Sequence, residues 1–236
     1  MNILILHGWG SCAKNWSRVK ELLENQGYKI YLPDLPGFGQ NSSLSKPLSI
    51  DDYVAWVKEY SEKQNLSQFF LLGHSFGGSL AIKFSLKYPE RIKKMFLVAS
   101  AGIRKKTIRK KILGRISKFF KIFSFLPFYP FIRKIFYKFI VEKSDYPYLS
   151  EIMRETYLNI INEDLSGLLF QVTVPTIIIW SEKDDVVSLK EGQFINQNIK
   201  NSKLLIIPGA NHDLERKAPE ILVQKILNSI NYRVPR

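Results

Sequence analysis

The decapeptide LLGHSFGGSL (71–80) places Ser75 between Gly73 and Gly77, directly behind the apolar run Phe69–Leu72. A strand that ends in Gly-x-Ser-x-Gly and turns sharply into a helix lifts the serine hydroxyl out of the backbone. The flanking residues must then be small for strand and helix to meet. The first N–H groups of such a helix point at the turn and can stabilise a developing oxyanion. A glycine-rich turn that merely packs a helix on a strand carries the same pentapeptide, so the surrounding sequence has to decide between the two.

Working outward, short apolar runs alternate with longer helical patterns, the signature of a parallel sheet covered by helices. Strands are expected at 2–6, 28–33, 68–72, 93–100, 176–180 and 203–208. Between the first two, Trp16, Val19, Leu22 and Leu23 follow helical spacing, and Gly27 stops the helix. Ser49 with Asp52 three residues later marks a helix N-terminus. Further helices follow Ser75, span about 188–199, and run from Pro219 to about Asn231. The reading is an α/β fold with a mostly parallel sheet of about six strands.

The alternation breaks once, at 101–171, which divides the chain into a core of 1–100 with 172–236 and an inserted segment. The insertion is basic and aromatic. Arg104–Lys143 holds thirteen Lys/Arg, against Glu142 and the nearby Asp145, a net +11 of the chain's +14. Ile108, Ile112, Ile116, Phe119, Phe120 and Phe123 follow helical spacing with cations on the other face.

A serine nucleophile needs a base. The chain has three histidines, His7, His74 and His212, all expected at strand ends. His74 adjoins Ser75 and projects elsewhere, and His7 in HGWG shapes a loop. His212, in the loop before the last helix, is the best base. The base in turn needs an orienting carboxylate. The loop after strand 176–180 offers Glu182, Asp184 and Asp185, giving the chain order Ser, acid, His.

Five segments in order, LHGWG (6–10), DLPGFG (34–39), GHSFGG (73–78), WSEKDD (180–185) and PGANHDLERKAPE (208–220), make the chain resemble the α/β-hydrolase fold superfamily over almost its whole length. Some of these motifs are similar to pimeloyl carrier-protein methyl ester esterases. The resemblance implies a carboxylic ester hydrolase with a Ser75, Asp184 and His212 triad. Its Gly-x-x-Asp pattern falls on Ser181-Glu182-Lys183-Asp184, so Ser181 replaces the usual glycine, and Asp185 is the second choice. The oxyanion hole carries over to the N–H groups of Trp9 and Phe76. Phe38, His74, Phe123 and Phe128 are the pocket candidates, and no metal or organic cofactor is implied. The family usually has two strands before the one carrying His-Gly, so a sheet trimmed to six strands is expected.

In the family, an insertion at this place is a helical lid over the nucleophile. A basic, aromatic lid suits an acidic carrier protein or an anionic membrane surface. It suits nucleic acid poorly, because no binding motif accompanies the charge. The same triad also serves lactonases, C–C bond hydrolases and perhydrolases, and a receptor-like relative would keep the pocket while turning over little. A single cysteine, Cys12, excludes an intramolecular disulfide, and a reducing, cytoplasmic setting is the expectation. The N-terminus MNILILHGWG lacks the charged leader of a signal peptide.

Overall fold

The computed structural model describes residues 1–103 and 149–232. The predicted helix at 104–123, the thirteen Lys/Arg of Arg104–Lys143, and pocket candidates Phe123 and Phe128 lie outside the described residues.

Six parallel strands form one sheet in the order β2-β1-β3-β4-β5-β6. They are β1 (Asn2–Leu6), β2 (Lys29–Tyr31), β3 (Phe69–His74), β4 (Ile92–Val98), β5 (Thr176–Ser181) and β6 (Ser202–Ile207). Alternate residues of each strand feed opposite layers, as the pleat requires. Leu4, Leu6, Leu71, Met95, Leu97 and Ile178 pack under α2 (Ile50–Lys63) and α3 (Phe76–Lys87). Ile3, Ile5, Phe70, Leu72, Phe96 and Ile177 pack on the other face. That face is covered by α1 (Ser17–Glu24) and by the last helix.

Local chemistry sets the helix ends. Ser49 Oγ accepts from the Asp52 N–H while the Asp52 carboxylate accepts from the Ser49 N–H, a reciprocal cap on α2. Gly27, at φ +80°, closes the segment after α1 in a conformation that glycine adopts without a Cβ penalty. After the undescribed stretch come α4 (Glu151–Asn162), α5 (Leu189–Asn198), a single turn α6 (Leu214–Lys217) and α7 (Pro219–Ile230). The C-terminus of α7 is held by buried Lys94, whose ammonium donates to the Ser229, Ile230 and Tyr232 carbonyls at 2.6–2.7 Å.

Within the expected insertion 101–171, the described part packs on the core. Met153, Ile160, Leu165 and Leu169 are buried in the α2/α3 layer. Thr156 Oγ1 accepts from the Leu48 N–H at 3.0 Å, and Lys83 of α3 pairs with Glu163. Among the described residues, no helix is long and apolar enough to cross a membrane.

Candidate active site

The strand order reverses between β1 and β3, and an open α/β sheet gathers its ligands at such a point, beyond the carboxyl ends of the strands. Ser75 lies there, between the last residue of β3 and the first of α3. Its backbone sits at φ +51°, ψ −116°, a conformation costing a non-glycine residue about 1–3 kcal/mol. Three hydrogen bonds hold it there. The Ser75 N–H donates to the Val98 carbonyl at 3.0 Å, and the Ser75 carbonyl accepts from the Gly78 and Ala101 N–H groups at 2.9 Å.

The two glycines of the pentapeptide are required by close approach. A Cβ on Gly73 would lie 2.3 Å from the Gly77 carbonyl oxygen, and one on Gly77 would lie 2.1 Å from that of Leu6. Those contacts bring the start of α3 against the end of β1. The loop after β1 therefore reaches the elbow, and a Cβ on Gly8 would stand 3.3 Å from Ser75 Cβ. The Phe76 N–H, at the start of α3, has no intrahelical acceptor. Trp9 and Phe76 thus flank the serine from two segments, their rings 5.8 Å apart and edge-on.

His212 and Asp184 are brought together from the loops after β6 and β5. His212 Nδ1 donates to Asp184 Oδ2 at 2.9 Å. The other carboxylate oxygen, Oδ1, accepts from the Val186 and Val187 N–H groups at 3.0 and 2.8 Å. The Asp184 side chain is fully buried, whereas Asp185 is exposed, so geometry selects Asp184 from the acidic cluster. With Nδ1 committed to the carboxylate, Nε2 is the imidazole nitrogen available to take a proton.

His7 shapes its loop as expected. Its Nδ1 donates to the Gly8 carbonyl at 2.8 Å, and its Nε2 accepts from the Leu35 N–H at 3.0 Å. Burial holds its pKa below the ordinary histidine value. The loop it reaches is organised by Asp34, which accepts from the Ala13 and Gln40 N–H groups at 2.6 and 2.8 Å. Phe38, nearly buried in that loop, meets the Trp9 ring edge-on at 4.9 Å, and Tyr157 of α4 meets it at 5.2 Å. Trp9, Phe38, Phe76 and Tyr157 form an aromatic wall joined through Trp9, and Phe76 directly follows the serine in the chain. Tyr157 carried no sequence signal, because nothing in α4's own periodicity marks the residue that will meet Trp9.

His74 corrects one expectation. It does not join that wall. It continues the parity of Phe70 and Leu72, so its ring enters the opposite layer, against Trp16 at 5.6 Å and His212 at 4.9 Å. It is 3% exposed, and its Nε2 meets the His212 carbonyl at 3.2 Å. Burial, with His212 alongside, pushes its pKa down to about 3, so it is neutral.

Behind it lies Glu215, which reads in LERK as a solvated residue but is 3% exposed. Its Oε2 is 3.8 Å from His74 Nε2 and has no hydrogen-bond partner among the described residues. Because His74 is neutral, this contact is not an ion pair. Burial and nearby Asp213 push the Glu215 pKa up to about 7, against the opposing effects of its own N–H, His212 and Arg216.

A carboxyl with a raised folded-state pKa stabilises the fold fully below its unfolded value, and that stability is lost as pH rises through about 7. Glu215→Gln removes this loss. At pH 8 the variant is expected to exceed the parent by about 1–3 kcal/mol in urea unfolding, and near pH 4.5 the two should coincide. Equal stabilities at pH 8 would disprove the assignment.

Among the described residues, no cluster of three His, Cys, Asp or Glu side chains could hold a metal ion.

Comparison with known proteins fits this geometry. A family model described as alpha/beta hydrolase fold matches residues 2–132, more than half of the chain. The chain belongs to the α/β-hydrolase fold family. It is 30% identical to the pimeloyl-[acyl-carrier protein] methyl ester esterase of Wigglesworthia glossinidia brevipalpis, over 90% of this chain and 86% of that protein. It is 25% identical to Lipase 3 of Moraxella sp. (strain TA144), over 89% of this chain and 71% of that protein. In three dimensions it resembles the esterase EaEST of Exiguobacterium antarcticum. The TM-score is 0.76 at 20% identity, covering 98% of this chain and 92% of the other. Family membership together with lipase and esterase relatives supports a hydrolase.

Proposed function

We propose that the chain hydrolyses carboxylic esters through a Ser75, His212 and Asp184 triad and an acyl-enzyme intermediate. The observation that carries this reading is the Asp184–His212 hydrogen bond of 2.9 Å, with the His212 ring 4.9 Å from that of His74, the residue before an elbow that holds Ser75 at φ +51°. Ser75 Oγ attacks the ester carbonyl carbon as its proton passes to His212 Nε2. The carbonyl electrons move onto oxygen, which the Trp9 and Phe76 N–H groups receive. Collapse expels the alcohol, which takes the proton from His212. Water then repeats the sequence on the acyl-enzyme and releases the acid. Asp184, hydrogen-bonded to His212 Nδ1, orients the imidazole.

The aromatic wall supports an ester with an apolar acyl or alcohol group, since flat apolar rings offer area and no charge to pair. The single cysteine supports a cytoplasmic setting.

The test is a p-nitrophenyl ester panel from acetate to palmitate, combined with fluorophosphonate labelling. Turnover of at least one ester is expected, abolished by one equivalent of label whose adduct maps to Ser75 by peptide mass. Ester turnover with the label on another residue would overturn the triad. Absence of turnover on every ester, with labelling intact, would turn the reading toward another hydrolysable bond.

A further inference from the structure

The loop that carries His212 is tied down at three successive carbonyls. The Ala210 carbonyl accepts from the Lys183 N–H at 3.0 Å. The Asn211 carbonyl accepts from Ser181 Oγ at 2.5 Å. The His212 carbonyl accepts from His74 Nε2 at 3.2 Å and from the Leu214 N–H at 2.9 Å. Two of these donors belong to the end of β5 and the turn that continues into Asp184. The imidazole and its carboxylate are thus joined directly by one hydrogen bond, and their loops are joined again by the Ser181 and Lys183 contacts.

Ser181 is the residue at which this chain departs from its family's glycine. A glycine there could leave the backbone tie from Lys183 in place but would have no hydroxyl for the Asn211 carbonyl. Ser181 is fully buried and donates outward to the carbonyl of exposed Asn211, so the bond is part-buried. His74 is equally enclosed. Because it is neutral, it carries one ring proton. Donation to the His212 carbonyl places that proton on Nε2. Nδ1, which has no hydrogen-bond partner among the described residues, then faces Gly8, where a Cβ would stand 3.2 Å away.

We propose that Ser181, acting with His74, is a positioning residue that fixes the His212 loop so that the imidazole stays in register with Asp184. Neither side chain touches the reacting atoms. They act through His212, and the proposal rests on the triad reading above. The hydroxyl of Ser181 removes one of the ways in which the loop after β6 could slide along the end of β5. A displacement of even 1 Å at a catalytic base can cost about a hundredfold in rate, so a partial loosening has a readable effect.

Ser181→Ala tests this on the full chain with the best ester from the panel. The expected result is a kcat lowered about 5- to 30-fold with KM within about twofold. The acidic limb of the kcat/KM profile should move to lower pH, because a loosened carboxylate stabilises the imidazolium less. A purely structural hydroxyl would lower the melting temperature and leave that limb in place. In an Asp184→Ala background the effect of Ser181→Ala should shrink to within about twofold, since both act on the same register.

A kcat within twofold of the parent with an unmoved acidic limb overturns the proposal, as does a full Ser181→Ala effect in the Asp184→Ala background. Ser181→Cys keeps a similar volume but donates only weakly, and it carries the same outcomes should the alanine variant not fold. Parent protein that turns over no ester refutes the reading beneath the clamp. Parent turnover that Ser181→Ala leaves intact refutes the clamp alone.

Discussion

Ser75→Ala should lower kcat for the best ester by at least about 10⁴-fold while leaving the melting temperature within a few degrees of the parent. The two halves of this expectation have separate origins. The rate falls because the attacking hydroxyl is removed and neither neighbour in the chain replaces it: these are His74, which is buried in the far layer, and Phe76. Residual turnover would come from the oxyanion-hole N–H groups and from binding, neither of which the substitution removes. Stability is preserved because the strained backbone is held by main-chain hydrogen bonds to Val98, Gly78 and Ala101, all of which alanine keeps. Alanine pays the same conformational strain as serine at φ +51°, so folded and unfolded states shift little relative to each other. Stopped-flow and steady-state assays with thermal melts on one preparation check both. Turnover within tenfold of the parent would sink Ser75 as the nucleophile, and a collapsed melting curve would sink the account of the elbow.

The sheet was legible because its inner strands are buried on both faces. Runs such as NILIL and TIIIW read as strands without any alternation to interpret, and all six fall within two residues of expectation at most ends. The cap at Ser49 and the stop at Gly27 were legible for local reasons, since their chemistry is complete within four residues. Three residues were not legible, because distant packing makes them what they are. Glu215 sits in a single helical turn too short for periodicity, and its buried carboxyl comes up against His74 at the end of β3. Lys94 lies in KKMFLV, where a lysine reads as exposed, yet the end of α7 supplies three carbonyls to it. Tyr157 meets Trp9 across a gap of more than a hundred residues. His74 is the instructive case. Counting pleat parity from Phe70 and Leu72 would have placed it in the far layer from sequence alone.

Two acid–imidazole neighbours lie within a few ångströms of each other and differ in character. Asp184 receives three hydrogen bonds, from His212, Val186 and Val187. Glu215 receives none on Oε2 and sits against a neutral His74, so its environment favours the proton. His74 works in the opposite direction with pH: its depressed pKa gives stability that is present above the ordinary histidine value of 6.5 and lost as pH falls toward about 3. The pair behind the site therefore penalises charge on either member, and a neutral His74 keeps its single donor on the His212 loop.

The anchoring of Asp184 also determines what Asp184→Asn should do. Oδ1 accepts two N–H groups, and an asparagine must keep its carbonyl oxygen there, because turning the amide would set NH₂ against both donors. The amide nitrogen then faces His212 Nδ1 in place of Oδ2. Two donors cannot share that contact, so the imidazole moves its proton to Nε2 and offers Nδ1 as an acceptor. The local geometry is nearly unchanged and the structure stays folded, but the nitrogen meant to receive the Ser75 proton already carries one. The expected loss in kcat is about 10³- to 10⁴-fold, with KM within a few-fold, the size seen when a triad carboxylate is replaced by its amide in serine proteases. Asp185→Asn, exposed and without a role in the pair, should stay within about twofold. Burst kinetics with a p-nitrophenyl ester locate the loss: acylation itself should slow, and the burst should disappear. An Asp184→Asn enzyme that still acylates at the parent rate would show that His212 takes its tautomer from a group other than Asp184.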